Sequence, residues 1–386
     1  MKIVADCNIP FVQRCFGHLG EIQVVQGRQI TPVTVADAEV LLVRSVTPVD
    51  RRLLEHSRVR FVATATIGCE HVDMDYLQTR GIGFASAPGS NANSVAEYVV
   101  AALLAVGQKY RITLPGKSIG IVGVGNVGSR VAAKCRALGL RTVLNDPPLA
   151  RHTGDPKYRP LEDVLGCDFV TLHTPLTKDG PDGTFHLADR ALLERLRPGT
   201  VFLNTSRGGV HDTLALKAAM VQGRLKAVVL DVWENEPNID QDLLRKVDLS
   251  TPHIAGYSFD GKVAGLIMIY KAVCKHLGIQ PTHELTEFLP PPAVPTIELK
   301  AADLPEQELV RQTVQQVYAI HRDDFNAREI LMVPPQTRGA FFDNLRKNYP
   351  VRREFQNTTV LIDDPASPMG RTLAGIGFKI DMRSKK

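Results

Sequence analysis

Short apolar runs alternate with helical segments between Lys117 and Pro252, and this regularity constrains the fold more than any other feature of the chain. We predict strands at Ser118–Val122, Arg141–Asn145, Phe169–His173, Thr200–Asn204 and Ala227–Asp231. We predict helices between them at Val127–Leu138, Leu161–Leu165, Asp189–Leu196 and Asp212–Gln222. Strand, crossover helix and strand repeated this often specify a parallel sheet with helices on both faces. The region is therefore predicted to be a doubly wound α/β domain.

The residues before this region show the same alternation on a smaller scale. The apolar runs Val40–Val43 and Phe61–Ala65 have the length and composition of parallel strands buried on both faces. Ser94 and Glu97 have the spacing of a capping box, which predicts a helix that continues to about Gln108. That helix is apolar on nearly every face, so we interpret it as a connector between packed bodies. A further helix is predicted at about Phe259–Leu277.

The last hundred residues follow a different pattern. Three consecutive prolines from Pro290 to Pro292 predict a stiff spacer. After it we predict helices at Glu306–His321 and Arg338–Lys347 and strands at Thr358–Ile362 and Gly377–Ile380, an α+β region. A chain of 386 residues has room for two or three domains. We place them at residues 1–92 with 258–285, at 93–257 and at 286–386.

Composition excludes several other classes of protein. The chain has 46 basic and 41 acidic residues and no dense basic stretch, which argues against a nucleic-acid partner. Its 6 cysteines form no C-x-x-C pair, as expected for free thiols in a reducing compartment. The most apolar stretch, Val95–Val106, contains Glu97 and is shorter than the roughly 20 residues of a membrane-spanning helix. These features predict a cytoplasmic protein that does not enter a membrane.

A glycine-rich turn follows the first strand of the long alternating region. Gly123, Gly125 and Gly128 fit G-x-G-x-x-G between a predicted strand and a predicted helix, where the backbone can approach a pyrophosphate. Asp146 ends the next strand, where an acid accepts hydrogen bonds from a ribose. No basic residue occurs in 147–150 to hold a 2′-phosphate. The pattern therefore favours NAD over NADP.

Three later loops of the same region carry an arginine, a carboxylate and a histidine at predicted strand ends. Arg207 can hold a substrate carboxylate or carbonyl oxygen through two parallel bonds. His253 can take a hydroxyl proton while a hydride leaves the same carbon, and Glu236 can orient the imidazole. Together these residues predict oxidation of a 2-hydroxy acid. No cluster of histidines, cysteines and acids has metal-ligand spacing, so no metal is expected.

With these residues in view, about residues 1–280 resemble the D-isomer-specific 2-hydroxyacid dehydrogenase family. The matching strings are Ala63–Asp73, Pro88–Ala92, Val95–Tyr98, the glycine turn and the three loops. The resemblance implies a flavodoxin-like substrate-binding domain, a Rossmann NAD domain and catalysis by Arg207, Glu236 and His253. It also implies further cofactor contacts, at Asn126, Val127, Asp146, Thr174, Ser206, Asp231 and Gly256.

Further strings match a narrower group within the family. They are Val43–Thr47, Thr64–Gly68, His253–Ser258 and the C-terminal region of about 90 residues. The group implies a small phosphorylated 2-hydroxy acid as substrate, contacted by Ser45, Thr66 and Tyr257, and a homodimer formed through the C-terminal domain. Arg44 is a candidate for holding the phosphate. The alternatives are another family member, such as a phosphoglycerate or glycerate dehydrogenase, or a non-catalytic NAD-sensing interaction protein.

Overall fold

The computed structural model describes residues 1–299 and 304–383, which form two compact units. The first unit contains residues 1–91 and 258–291. The second contains residues 92–257 and the described residues that follow 291. Within the described part of the chain, no helix is long and apolar enough to cross a membrane.

The first unit contains a five-stranded parallel sheet, as its apolar runs predict. Its strands are β1 (Lys2–Asp6), β2 (Glu21–Val25), β3 (Val40–Val43), β4 (Phe61–Thr64) and β5 (Gly83–Ala85), in the order β2-β1-β3-β4-β5. Four short helices lie between them, α1 (Val12–Phe16), α2 (Pro32–Val35), α3 (Arg51–Leu54) and α4 (Met74–Thr79). Every residue of β3 and β4 is buried, which explains why both read as continuous apolar runs.

The second unit begins with α5 (Ala92–Tyr110), whose predicted capping box is wrong. Ser94 lies inside the helix, and its hydroxyl donates to Glu354 Oε1 at 2.8 Å. Glu97 Oε1 accepts from the backbone N–H of Phe355 at 3.0 Å. Both side chains are buried against the C-terminal region. Ser94 and Glu97 therefore make tertiary contacts and do not cap the start of the helix.

A six-stranded parallel sheet follows α5 and confirms the predicted α/β alternation. Its strands are β6 (Ser118–Val122), β7 (Arg141–Asn145), β8 (Phe169–Leu172), β9 (Thr200–Asn204), β10 (Leu225–Leu230) and β11 (Leu249–Ser250), in the order β11-β10-β9-β8-β6-β7. The helices are α6 (Asn126–Ala137), α7 (Pro147–Thr153), α8 (Leu161–Leu165), α9 (Arg190–Arg195), α10 (Thr213–Val221) and α11 (Gln241–Lys246). Because β7 and β8 lie on opposite sides of β6, the strand order reverses there, which is where such sheets bind ligands.

The chain then returns to the first unit through α12 (Phe259–Leu277), which has the predicted bounds. Ser258 accepts from the N–H of Gly261 and caps its first turn. The C-terminal end of the helix is Gly278, with a φ of 69° that favours glycine. Seven residues of α12 are buried in the core of the first unit, including Val263, Leu266 and Tyr270.

The C-terminal region of the second unit has helices and a small sheet, which confirms α+β packing. It contains β12 (Thr296–Glu298), α13 (Glu306–Val317), α14 (Ile320–Arg328), α15 (Arg338–Lys347), β13 (Thr359–Ile362), α16 (Pro368–Ile376) and β14 (Lys379–Met382). The strands pair in parallel in the order β12-β13-β14. The single helix predicted over 306–321 is wrong, because Tyr318 is extended and its buried hydroxyl donates to Asp323 at 3.0 Å. The division into three domains stays a prediction.

Candidate active site

The glycine turn after β6 has the shape that a phosphate-binding loop needs. Gly123 has a φ of 85°, and a Cβ there would lie 2.7 Å from the carbonyl oxygen of His173. A Cβ at Gly128 would lie 2.0 Å from the carbonyl oxygen of Gly123, so the helix can approach the strand only through glycine. No atom lies within 4 Å of a Cβ built on Gly125, and no side chain caps the start of α6. The amides at this helix N-terminus are thus available to an anion.

Two further side chains at this edge of the sheet fit a bound NAD. Asp146 Oδ2 accepts from the N–H of Val124 at 2.8 Å, which directs the carboxylate to the glycine turn. The hydroxyl of Thr174 is buried and has no hydrogen-bond partner in the part of the chain that the structure describes. Since buried polar groups are almost always paired, this hydroxyl is one that a ligand would satisfy. The residues after Asp146 are Pro147 and Pro148, which offer nothing to a 2′-phosphate.

The loop that carries Arg207 follows β9 and is fixed by a buried asparagine that sequence reasoning missed. Asn204 Oδ1 accepts from the N–H of Ser206 at 3.0 Å and from its hydroxyl at 2.7 Å. Asn204 Nδ2 donates to the carbonyl oxygen of Arg207 at 3.0 Å. A Cβ at Gly208 would lie 1.9 Å from the carbonyl oxygen of Trp233, so this loop packs directly on the one that carries Glu236.

Asp231 organises the loop that carries His253. Its Oδ1 accepts from the hydroxyl of Thr251 at 2.6 Å and from the N–H of Ile254 at 2.8 Å, and its Oδ2 accepts from the N–H of Ala255 at 3.0 Å. Burial raises the pKa of this carboxyl above its ordinary value, against the opposing effect of His253 and these hydrogen bonds. The backbone N–H of His253 donates to the carbonyl oxygen of Asp231 at 2.7 Å. Asp231 therefore holds the loop between His253 and Gly256, whatever contact it makes with a cofactor.

His253 and Glu236 form a hydrogen-bonded pair. The Nδ1–H of His253 donates to Glu236 Oε2 at 2.7 Å, and Glu236 Oε1 accepts from the N–H of Trp233 at 2.8 Å. Burial opposes ionisation of Glu236, but the charge of His253 and these hydrogen bonds lower its pKa below the ordinary value. Nothing in the described residues hydrogen-bonds to Nε2 of His253. The ionised carboxylate thus fixes the ring and leaves the other nitrogen able to accept a proton.

The residues predicted to bind substrate fall in both units. Ser45 follows β3 and is exposed, while Thr66 follows β4 and donates to the carbonyl oxygen of Gly68 at 3.0 Å. Both belong to the first unit, and each lies just beyond the carboxyl end of its strand. Tyr257 belongs to the second unit and packs edge-on against the ring of Tyr349, with centroids 6.0 Å apart. Their contacts with a substrate stay predictions.

The structure shows two more histidines near these loops, His173, which the strand pattern places on the cofactor side, and His186. His173 follows β8 and is hydrogen-bonded to the hydroxyls of Thr171 and Thr205 at 3.0 and 3.1 Å. Burial lowers the pKa of His173 to about 3, so it stays neutral. Nε2 of His186 lies 2.7 Å from Oε1 of Glu234, and Glu234 precedes Glu236 by two residues. No local pattern marks His186, since its partner lies 48 residues away.

Comparison with known proteins agrees with this geometry. Residues 97–255 match the family described as D-isomer specific 2-hydroxyacid dehydrogenase, NAD binding domain, and residues 288–377 match a domain of unknown function, DUF3410. The erythronate-4-phosphate dehydrogenase of Salinibacter ruber is 48% identical, with 99% of each chain covered. That of Cronobacter sakazakii is 45% identical, with 98% of each chain covered. The chain belongs to the D-isomer specific 2-hydroxyacid dehydrogenase family.

The fold is also that of solved members of the family. D-lactate dehydrogenase from Aquifex aeolicus, in complex with NAD and lactic acid, superposes with a TM-score of 0.58 at 23% identity. The superposition covers 72% of this chain and 96% of that one. The predicted family and cofactor are therefore confirmed: the chain is an NAD-dependent oxidoreductase. The relatives that match over the full length confirm the narrower group as well, because both are erythronate-4-phosphate dehydrogenases.

Proposed function

We propose that the protein oxidises 4-phospho-D-erythronate at C2 to 2-oxo-3-hydroxy-4-phosphobutanoate, a step of pyridoxal 5′-phosphate biosynthesis. The observation that carries the proposal is the match with erythronate-4-phosphate dehydrogenases over nearly the whole length, which includes the C-terminal region. The site geometry supports the same chemistry, because Arg207, Glu236 and His253 lie in adjacent loops at the edge of one sheet.

The roles of these side chains follow from their surroundings. Nε2 of neutral His253 takes the proton of the C2 hydroxyl, so that the C–O bond becomes a carbonyl. Bound NAD⁺ supplies the acceptor for the hydride that leaves C2. Glu236 keeps the ring oriented and stabilises the imidazolium that forms, since its pKa is lowered and it remains ionised. Arg207 holds the substrate carboxylate and polarises the oxygen on which charge develops.

The cofactor would be held by the groups at the end of β6, β7 and β8. The amides that follow Gly125 would bind the pyrophosphate, and Asp146 would accept hydrogen bonds from a ribose. The unpaired hydroxyl of Thr174 is a third contact. We also propose cofactor contacts for residues that follow β9 and β10, by resemblance to the family: Ser206, Asp231 and Gly256.

A substrate panel tests the proposal directly. Purified protein and NAD⁺ are mixed with 4-phospho-D-erythronate, 3-phosphoglycerate and glycerate, and NADH is followed by fluorescence. We expect kcat/KM to be highest for 4-phospho-D-erythronate. A preference for 3-phosphoglycerate would instead support the other family member named above. Absence of turnover with all three, together with tight NADH binding, would support a non-catalytic NAD sensor.

We further propose that the protein is a cytoplasmic homodimer that associates through its C-terminal region. Three large apolar side chains of this region support the proposal because they are exposed: Phe325, Met332 and Val351, at 66%, 87% and 57%. Sedimentation of the wild-type chain should give twice the monomer mass. A monomer at micromolar concentration would contradict the proposal.

A further inference from the structure

Helix α15 of the C-terminal region packs against the loop that carries Glu236. A Cβ at Gly339 would lie 2.7 Å from Asn238 Oδ1 and 3.3 Å from Pro237, so the helix approaches this loop as closely as glycine allows. Phe342 is fully buried in the same core cluster as Trp233. Residues 339, 342 and 346 share one face of α15, because they are three and four positions apart. The packing therefore directs the side chain of Arg346 toward the active-site loops.

Arg346 lies beside a predicted substrate contact. Its guanidinium carbon is 5.7 Å from the centre of the Tyr257 ring, a cation–π distance. Its ion pair with Asp343 is long, 3.9 Å from Nη1 to Oδ1, and its buried Nε has no hydrogen-bond partner among the described residues. Burial disfavours the charge, yet Tyr257 and Glu236 raise the pKa of Arg346, so the cation persists. An arginine held this way keeps donors available to an anion.

The substrate class needs such a second cation. A phosphorylated 2-hydroxy acid carries a carboxylate at one end and a phosphate at the other, and Arg207 accounts for only one of them. Arginine binds phosphate through two parallel hydrogen bonds. The geometry points to Arg346 as the residue that binds the phosphate of the substrate, so that the C-terminal region sets specificity for phosphorylated acids. This inference rests on the proposed function and deepens it.

Ligand and residue are varied together to test this inference. We compare 4-phospho-D-erythronate with D-erythronate in the wild-type chain, Arg346→Gln, Arg346→Lys and the control Lys347→Gln, an exposed neighbour on the same helix. Arg346→Gln should raise KM for the phosphorylated acid on the order of 10- to 100-fold. It should lower kcat/KM for D-erythronate much less than kcat/KM for the phosphorylated acid, since D-erythronate carries no phosphate for the arginine to bind. Arg346→Lys should recover part of the loss, because lysine still offers a charge to phosphate.

Each other outcome decides the question. If Arg346→Gln lowers kcat/KM equally for both acids, the arginine only positions Tyr257 or Glu236 and the inference is overturned. If Arg44→Gln abolishes the preference and Arg346→Gln does not, it is overturned as well. NADH affinity and the melting temperature should match the wild type in every variant, which excludes misfolding.

Failure of the proposed substrate is distinguishable from failure of this inference. A wild-type chain that rejects 4-phospho-D-erythronate but prefers 3-phosphoglycerate to glycerate contradicts only the proposed substrate. Loss of that preference in Arg346→Gln would then support the inference, and its persistence would overturn it. A wild-type chain that does not discriminate between phosphorylated and unphosphorylated acids overturns it outright.

Discussion

Two histidine–carboxylate pairs use glutamates that lie two residues apart on one loop, and the two pairs are nearly identical in local geometry. His253–Glu236 and His186–Glu234 are both 2.7 Å long. Their side chains are 31% and 20% exposed in the first pair and 32% and 21% in the second. Distance and exposure therefore do not distinguish the proposed catalytic pair from the other pair.

The surroundings of the two imidazoles separate them. Nδ1 of His186 faces a second carboxylate, with Asp212 Oδ2 at 3.8 Å, so both of its nitrogens point at acids. Glu234 also accepts from the N–H of Thr213 at 2.8 Å and so holds the start of α10. His253 has Nδ1 on Glu236, while its Nε2 has no hydrogen-bond partner among the described residues. A general base needs a nitrogen that the protein itself leaves unused.

Removing the imidazole of His253 should have the largest effect. We expect His253→Asn to lower kcat about 1,000-fold, because an asparagine amide cannot serve as the general base that accepts the hydroxyl proton. Asparagine tolerates the left-handed backbone conformation of this position, so the fold should survive. Stopped-flow measurement of NADH formation gives the rate, and titration with NADH gives the control. Turnover within tenfold of the wild type would remove His253 from the chemistry.

Neutralising its partner should have the next largest effect. Glu236→Gln keeps a hydrogen-bonding oxygen for Nδ1 but loses the charge that stabilises the imidazolium, and we expect kcat to fall about 10- to 100-fold. The matched control is Glu234→Gln, which removes the same charge two residues away. Steady-state kinetics should show a change of less than about threefold in that control. Equal losses of kcat in both variants would mean that turnover depends on the total negative charge of this loop and not on the specific pair of Glu236 and His253.

Two buried histidines that form no hydrogen bond with a carboxylate in the described residues should affect the pH dependence of stability and not turnover. Burial lowers the pKa of His173 to about 3 and of His211 to about 4. In the unfolded chain the histidine pKa is near 6.5, so below that pH the unfolded state binds more protons than the folded state. The stability that these neutral histidines contribute above pH 6.5 is therefore lost as the pH falls below it. We expect the free energy of unfolding to drop by ~2 kcal/mol per histidine between pH 7 and pH 5. Urea unfolding measures this.

A matched pair of variants assigns the effect. In the wild-type chain Asn204 Nδ2 donates to Nδ1 of His211 at 2.9 Å, and the side-chain oxygen of His211→Gln can still accept this hydrogen bond. The variant should reduce the pH-dependent loss of unfolding free energy by about the amount expected for one histidine. His56→Gln, at an exposed position, should leave the loss unchanged. The same loss in all three proteins would place the titrating groups elsewhere.

Disrupting the second pair should have the smallest effect. His186→Gln removes a partly exposed ion pair, which is worth at most about 1 kcal/mol of stability. We expect kcat within about twofold of the wild type and a melting temperature lower by a few degrees at most, as calorimetry would show. A 100-fold loss of turnover would show that the two pairs act as one unit.

The fold was predictable where local pattern decides it. Five of the six strands of the larger sheet were predicted from their residue patterns, and three of those five have the predicted bounds, as Ser118–Val122 does. One failure involves distant partners, and the other involves a buried contact only five residues along the chain. Ser94 and Glu97 contact residues about 260 positions away, and no window of sequence contains that information. The helix after Glu306 ends early because Tyr318 turns its side chain into a buried contact.

The candidate site divides in the same way. Its chemistry was readable from residue types at strand ends, which is why Arg207, Glu236 and His253 could be named together. The residues that hold them were not. Asn204 resembles any asparagine at the end of a strand until its hydrogen bonds are known. Arg346 belongs to a helix nearly a hundred residues after His253, and only tertiary packing brings it to Tyr257.

The backbone of His253 has a φ of 58°, a conformation that costs a non-glycine residue roughly 1 kcal/mol or more. Pro252 before it and the Asp231 network after it hold the residue there. A glycine at this position would relieve the strain, but it would also remove the imidazole and its hydrogen bond to Glu236. The strained backbone is therefore a local cost in stability that accompanies the placement of this ring on that carboxylate.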